Sequence, residues 1–423
     1  MKRRGFLLLL PVFIVHSLAA QVQPPVTDSA YLSLAVNFLA SDNMKGRVNF
    51  SKEQLTAAKF LFNEFKQYGL KPFPGFSNFL VPFTVKGNSQ EKATELLWNG
   101  KRVSGEDYYF ITSGHKPKIL PLDSFYLIHI NGDIPDSIFM RYWDHNRPVL
   151  FKLDNQPDSV LKKVVDNMKV PGYPPKSDIL ITTVKENPVT VSLNFFGGYP
   201  LTPLYNIVGL LPGKTRSKEI VIFSAHYDHV DRDLDGKEGV IYNGANDNAS
   251  GVAALLALAK YYAGKNDNQR TLVFCLFAAE ELGLIGSTAF STVIDPRTVK
   301  AVINLEMLGR TNAVGKKAFF ITGEGNSTLS SIFSRNLKDD KVRNRWYNDQ
   351  TNLFARSDNY PFFQAGIPAH SIMCSDDKEP CYHKACDDAD SIDYPNMVEV
   401  IRAIVKASQT IIAGTDTPVL RKF

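Results

Sequence analysis

Cysteine is scarce in this chain: four residues out of 423, at positions 275, 374, 381 and 386. A hydrophobic core, not a disulfide framework, must therefore hold it together, and a hydrophobic content of 44% supplies the material. No internal repeat or low-complexity tract is evident, which excludes solenoids and disordered linkers. Charge excess is small as well. The formal net charge is +5, and Lys2, Arg3 and Arg4 in the first twenty residues account for three of it. The balance from residue 21 onward is +2, so no nucleic-acid partner follows from the charge. Beyond residue 20 no apolar stretch is long enough to cross a membrane.

Met1–Ala20 reads MKRRGFLLLLPVFIVHSLAA: a basic start, about a dozen apolar residues, then small ones. That is the pattern of a secretory signal peptide cleaved near Ala19 or Ala20. No cysteine follows to carry a lipid. The expectation is a protein exported to a periplasm or outside the cell, without an integral membrane segment once the signal is removed. Export lets cysteines pair. Cys381 and Cys386 flank His383 and form the expected bridge, with Cys374 as the competing partner and Cys275 buried in a strand.

Four regions are expected: the signal at 1–20, a helical segment at 21–85, an inserted mostly β subdomain at 86–198, and an α/β core at 199–423. In the second region Tyr31–Ala40 is a helix candidate. Ser51-Lys-Glu-Gln54 is a capping box opening another, with Leu55, Ala58, Phe62 and Phe65 on its inner face. Both helices read as packing elements. In the third, short strand-like pieces alternate with turn-rich stretches, and no catalytic cluster stands out. From Tyr205 onward strands and helices alternate, which implies a doubly wound, mixed but mostly parallel sheet with helices on both faces.

The core is organised around TLVFCLFAAEELGLIGS, residues 271–287. Its apolar run has the length and composition of a strand buried on both faces, and it ends in two adjacent acids, Glu280 and Glu281. Ligands of open α/β sheets bind at the carboxyl ends of strands. Alone, this is a solvated Glu-Glu pair opening a helix. The same pattern recurs, however. His226 follows the strand Glu219–Ser224, with Asp228 two residues on to hold its ring. Asp247 sits in the Gly- and Asn-rich stretch Tyr242–Gly251, just before an amphipathic helix. Glu306 ends the strand Ala301–Leu305, and His383 follows the last strand. Two histidines and three acids suit two zinc ions with nitrogen and oxygen ligands, one acid bridging. Glu280 is then left beside the metals to handle a proton.

The stretches AHYDH, GANDNASG, AAEE, NLEMLG and CYHKACD resemble, in order, the co-catalytic zinc aminopeptidases of metallopeptidase family twenty-eight, whose relatives include glutamate carboxypeptidases and glutaminyl cyclases. The resemblance spans about Tyr205 to Gly414. It implies the zinc-exopeptidase fold and peptide substrates. By position, it implies that His226 and Glu306 hold one zinc, Glu281 and His383 the other, and that Asp247 bridges. Glu280 takes the place of the general base, Asp228 that of the acid orienting His226, and Tyr382 that of a tyrosine polarising the substrate carbonyl. In Arg356-Ser-Asp-Asn-Tyr360 the resemblance points to Asp358 near the substrate pocket. Position 306 departs from the usual Asp, and Asn359 stands where His is frequent. The insert occupies the place of a protease-associated domain.

The expected activity is removal of N-terminal residues from peptides. A carboxypeptidase or dipeptidase on the same site would need a cationic clamp for the terminal carboxylate, for which Arg310, Arg356 and Lys384 lie near ligands in sequence. A glutaminyl cyclase and a metal-free binding relative are two further rivals. The intact AAEE and DNASG stretches argue against the cyclase, and the complete ligand set against the binding relative. Phe362, Phe363 and Met373 are candidates for an apolar side-chain pocket.

Overall fold

The computed structural model describes residues 26–85, 94–113, 118–132, 138–143, 145–156, 160–161, 164, 175–195, 202–230 and 240–421. The signal-peptide reading at 1–20 and the expected borders of the insert lie outside them. Among the described residues the centre is a nine-stranded mixed sheet. Its middle is four parallel neighbours in the order Arg270–Phe277, Arg216–His226, Val299–Glu306, Ala369–Met373. Antiparallel strands flank them. Thr202–Leu211 pairs with Arg270–Phe277 and carries Lys71–Pro72 and Leu80–Val85 on its other side. Ala318–Ile321 pairs antiparallel with Ala369–Met373.

Strand Arg270–Phe277 shows why its sequence is apolar without interruption. Leu272, Phe274 and Leu276 join the larger core cluster, whereas Val273, Cys275 and Phe277 join the other. Alternate residues point to opposite faces, and helices cover both. On the first face lie helices Ser29–Leu39, Lys52–Gln67, Gly251–Lys265 and Tyr394–Ala413, all contributing to the larger cluster. Every residue from Gly251 to Ala259 is buried, so the helix behind Asp247 is central rather than amphipathic. On the second face Phe290 and Phe362, from helices Ile285–Ser291 and Tyr360–Gln364, pack on Phe277.

Helix Lys52–Gln67 starts at Ser51, whose hydroxyl accepts from the Gln54 backbone N–H at 3.0 Å. Its inner face differs from the expected one. Gln54, Ala57, Ala58, Leu61 and Phe65 are buried, and Leu55 is 55% exposed. The stripe is turned because Gln54 is drawn inward: its Nε2 donates to Asn49 Oδ1 at 2.6 Å and its Oε1 accepts from Phe50 N at 2.9 Å.

Residues 94–195 hold two further four-stranded sheets. Thr94–Trp98, Lys101–Arg102, Val191–Phe195 and Lys118–Pro121 form one; Tyr108–Ile111, Ile179–Thr182, Val149–Asp154 and Tyr126–Asn131 form the other. Leu96, Trp98 and Leu193 from the first pack with Phe110, Leu150 and Leu180 from the second in one core.

Candidate metal centre

Parallel strands deliver their carboxyl ends to one edge of a sheet, and the candidate residues collect there. His226 and Glu306 are the last residues of their strands. Glu280 and Glu281 follow Phe277 across a short turn in which Ala279 takes φ +59°. His383 lies ten residues past Met373, in a loop closed by the Cys381–Cys386 disulfide, while Cys275 and Cys374 are free and buried.

Asp247 stands between the histidines. Its Oδ1 lies 3.2 Å from His226 Nε2 and its Oδ2 3.1 Å from His383 Nε2. On one side Glu306 Oε1 is also 3.2 Å from His226 Nε2, and its Oε2 accepts from the Ser357 hydroxyl at 2.8 Å. On the other, Glu281 Oε1 is 3.2 Å from His383 Nε2. Three groups of potential ligand atoms result, each within 4.8 Å: His226, Asp247 and Glu306; His229, Asp247, Glu281 and His383; and His226, Glu280 and Glu281. The structure thus brings all five expected ligand residues together, with Asp247 common to the first two groups.

The donors fit a metal. His383 Nε2 is buried, ringed by two carboxylates, and makes no well-directed hydrogen bond. Four-coordinate zinc with bonds of about 2.0–2.2 Å separates neighbouring ligand atoms by about 3.3 Å, close to the spacings found. The electrostatics ask for a cation as well. Burial would lower the His383 pKa, but the Asp247 and Glu281 carboxylates carry it up to about 10. Burial and Asp247 would raise Glu281, but His229 and His383 hold it at about 2. Glu280 faces the cleft; burial, reinforced by Glu281, Asp358 and Glu306, pushes it well above the usual carboxylate range against the pull of His226.

The backbone of this turn is gripped residue by residue. Ala278 N–H donates to Asn206 Oδ1, Ala279 N–H to Asn49 Oδ1, Glu280 N–H to Asp228 Oδ1 and Glu281 N–H to Asp228 Oδ2, at 3.1 to 3.3 Å. Asp228, wholly buried, therefore serves the two glutamates directly. Its carboxylate is 3.8 Å from His226 Nδ1, and it is the Asp228 backbone carbonyl that lies 3.2 Å from that nitrogen. Asn49 also donates to Asp228 Oδ2 at 2.6 Å. The N-terminal segment thus does more than pack: Asn49, in the turn before helix Lys52–Gln67, and Gln54 on that helix extend the hydrogen-bond network to the site. Arg47, also buried, donates to the backbone carbonyls of Leu39, Tyr227, Asn243 and Gly244.

Asparagines knit the Asp247 loop to the end of the Glu306 strand. Asn248 reaches Leu305 O and Met307 N, and Asn246 Oδ1 accepts from Gly309 N. Asp387, buried, accepts the N–H groups of Asn246 and Asp247. Sequence reasoning missed Arg47, Asn49, His229, Ser357 and Asp387. Three of them stand within the family stretches, but none carries a spacing that reveals its partner.

A cleft of about 400 Å³ opens over the site, lined on its apolar side by Leu284, Met307, Leu353, Ala355 and Met373. Tyr382 lines it and stacks on His383 with centroids 4.0 Å apart. Of the expected pocket residues only Met373 lies there; Phe362 is wholly buried in the core below, and Phe363 packs on that core. Asp358 is wholly buried and does not line the cleft, and burial pushes its carboxyl up to about 7. Its neighbour Ser357 does the touching, through Glu306.

The disulfide closes a six-residue loop around His383. Loop closure of that length restrains the unfolded chain by about 2 kcal/mol in the chain-entropy account. A Cys381→Ser, Cys386→Ser double variant is expected to lose stability of that order in denaturant titration and to bind metal more weakly, because His383 is no longer held. Unchanged stability and metal affinity would show that the loop does not depend on the bridge.

A doubly wound α/β sheet with a shared-carboxylate, imidazole-flanked site at its carboxyl edge is the arrangement that the sequence resemblance implies. Residues 206–408, just under half of the chain, match Peptidase family M28. A probable leucine aminopeptidase of Arthroderma otae is 28% identical over 211 residues, 48% of this chain and 55% of that protein. The chain thus spans about half the length of that relative. Among solved structures, a zinc aminopeptidase from Bacillus subtilis is similar with a TM-score of 0.55 at 16% identity, covering 92% of this chain and 97% of that one. An aminopeptidase from Aneurinibacillus sp. strain AM-1 gives 0.53 at 19%, covering 91% and 94%. These two likenesses establish the fold.

Proposed function

We propose that the protein is an exported exopeptidase that removes N-terminal residues from peptides at a two-zinc site. The observation that carries this is Asp247, with one carboxylate oxygen turned to His226 and the other to His383. A single ion has no use for that arrangement; a pair sharing a carboxylate does. His226 and Glu306 would hold one zinc, His383 and Glu281 the other. When bound, zinc supplies a Lewis acid that polarises the scissile carbonyl and makes water acidic enough to attack at neutral pH.

The chain's own groups do the rest. Glu280 accepts the proton of the attacking water and passes it to the leaving amine, a role that suits a cleft-facing carboxylate with a raised pKa. The Tyr382 hydroxyl donates toward the developing oxyanion, with the Arg356 guanidinium 3.5 Å behind it. Asp228 fixes the turn that carries Glu280 and Glu281, and so orients the base relative to the ligands.

End preference follows from the charges. Arg310 is engaged by Glu379, by Asp387 at 3.2 Å and by the Cys386 carbonyl at 3.1 Å. Lys384 donates to Pro380 O, and Arg356, which does line the cleft, is paired with Asp377 at 2.6 Å. No unpaired cation among the described cleft residues is left to clamp a C-terminal carboxylate, whereas the acids suit an α-ammonium group. The apolar wall favours an apolar N-terminal side chain, in keeping with the name of the Arthroderma relative. Export rests on the sequence pattern of residues 1–20; no described helix is long and apolar enough to cross a membrane.

The test is to incubate the zinc-loaded protein with a mixed peptide library and read the products by mass spectrometry. Loss of single, mainly apolar N-terminal residues is expected, abolished by a chelator and restored by zinc. Shortening from the C-terminus, or cleavage confined to dipeptides, would sink the N-terminal reading.

A further inference from the structure

His229 is assigned to neither zinc in the proposed mechanism, yet it lies inside the site. It is 1% exposed, three residues past His226. One of its ring nitrogens, with one ligand atom each from Asp247, Glu281 and His383, forms a group whose members all lie within 4.8 Å of one another. Its Nδ1 is 3.2 Å from Glu281 Oε1, the spacing that His383 Nε2 keeps from the same oxygen. Its ring meets the His383 ring edge to face, with centroids 5.5 Å apart.

The other nitrogen, Nε2, is buried and has no hydrogen-bond partner. A histidine retained only to hold Glu281 would leave that nitrogen orphaned, which buried polar groups seldom are. The ring is also fixed from behind. Gly244 has φ +59°, and a Cβ there would stand 2.5 Å from His229 Cδ2, so only glycine lets the imidazole sit this deep. Such an arrangement holds an imidazole against a carboxylate cluster with one nitrogen still to be used.

We propose that His229 is a ligand of the metal centre, a third imidazole that gives the Glu281 side four protein donors against three on the Glu306 side, which would keep the open position that a catalytic zinc needs. This rests on the two-zinc reading and adds to it an asymmetry. The side with His229, His383, Glu281 and Asp247 is the nitrogen-rich one and holds its ion more tightly. The side with His226, Asp247 and Glu306 holds the ion that leaves first.

Two measurements test this, neither of them activity. X-ray absorption on the unaltered zinc-loaded protein counts imidazoles at the metals. Three imidazoles per two zinc ions are expected; two would overturn the proposal. The second is His229→Asn, whose side-chain amide can still donate to Glu281 but is a poor zinc ligand. In a competitive chelator titration with elemental analysis, the affinity for one zinc should fall at least about 100-fold, at the upper end of the losses known for outer-shell partners, while the other ion stays. Retention of both ions at unaltered affinity would overturn the ligand role and leave a hydrogen-bonding one. His383→Ala, measured alongside, separates the two readings. If it loses an ion and His229→Asn does not, only this inference fails. If neither variant loses an ion, the metal assignment itself fails.

Discussion

Glu280→Gln is expected to lower turnover by about 10²–10⁴-fold, the usual contribution of a general base, and to leave metal content unchanged. The substitution keeps size and polarity and removes only the ability to take a proton. Glu280 lines the cleft, and its carboxylate falls in a group of potential ligand atoms with His226 and Glu281 but in none with Asp247 or His383. Its carboxyl is pushed up by burial, Glu281 being pushed down to about 2 by His229 and His383 despite its own burial. Neighbouring residues of one type thus meet opposite environments, which is how acid–base and ligand roles are separated. Glu281→Gln should accordingly lose zinc, because a neutral amide oxygen is a poorer ligand than a carboxylate. Zinc per chain and turnover on one substrate, measured for both variants, decide the matter. If Glu280→Gln loses zinc and Glu281→Gln keeps it, the two roles are exchanged.

Arg47→Met is expected to cost at least about 3 kcal/mol in denaturant titration and to lower metal affinity with it. The guanidinium donates to four backbone carbonyls from three parts of the chain: Leu39 at the end of the first helix, Tyr227 beside His226, and Asn243 and Gly244 before Asp247. Burial pulls its pKa down to about 10, opposed by Asp228, Asp247 and Asp387, so it stays charged at neutral pH. Methionine fills the stem's volume and leaves those acceptors facing nothing. Gly46, with φ +70°, is what allows the approach: a Cβ there would stand 2.5 Å from the Tyr242 carbonyl. Arg47→Lys is expected to recover only part of the loss, since one ammonium cannot span the fork. Equal stability of Arg47→Met and the unaltered chain would mean that water takes over those carbonyls.

The residues proposed as ligands were legible because the sheet writes them in one form. An apolar run long enough for a buried strand stops, and a His or acid stands at or just past the stop; His226, Glu281 and Glu306 all follow that form. The residues that hold them were not legible, because their partners are backbone groups far away in sequence. Nothing local marks Asn49 as the acceptor for Ala279 N–H, 230 residues on, or Asp387 as the acceptor for Asp247 N–H, 140 residues back. Helix Lys52–Gln67 misleads for the same reason. Its capping box marks the start correctly, but the inward pull on Gln54 comes from Asn49, and that contact turns Leu55 out to solvent. Phe362 misleads because an aromatic close to ligands in sequence is as readily a core residue as a pocket residue.

The grip on Ala278 to Glu281 also bears on what can be cut or exchanged in this protein. Two of the three side chains that hold those four N–H groups, Asn206 and Asp228, lie within residues 206–408, but Asn49 does not, and neither do Arg47 and Gln54. The stretch that defines kinship is therefore smaller than the stretch that sets the glutamates in place. A fragment begun at residue 206, or a chimera that keeps this core and takes its first helices from a relative, would carry every proposed ligand and the proposed base yet leave Ala279 N–H and one side of Asp228 without their native partner. Its inheritance would be complete and its alignment would not.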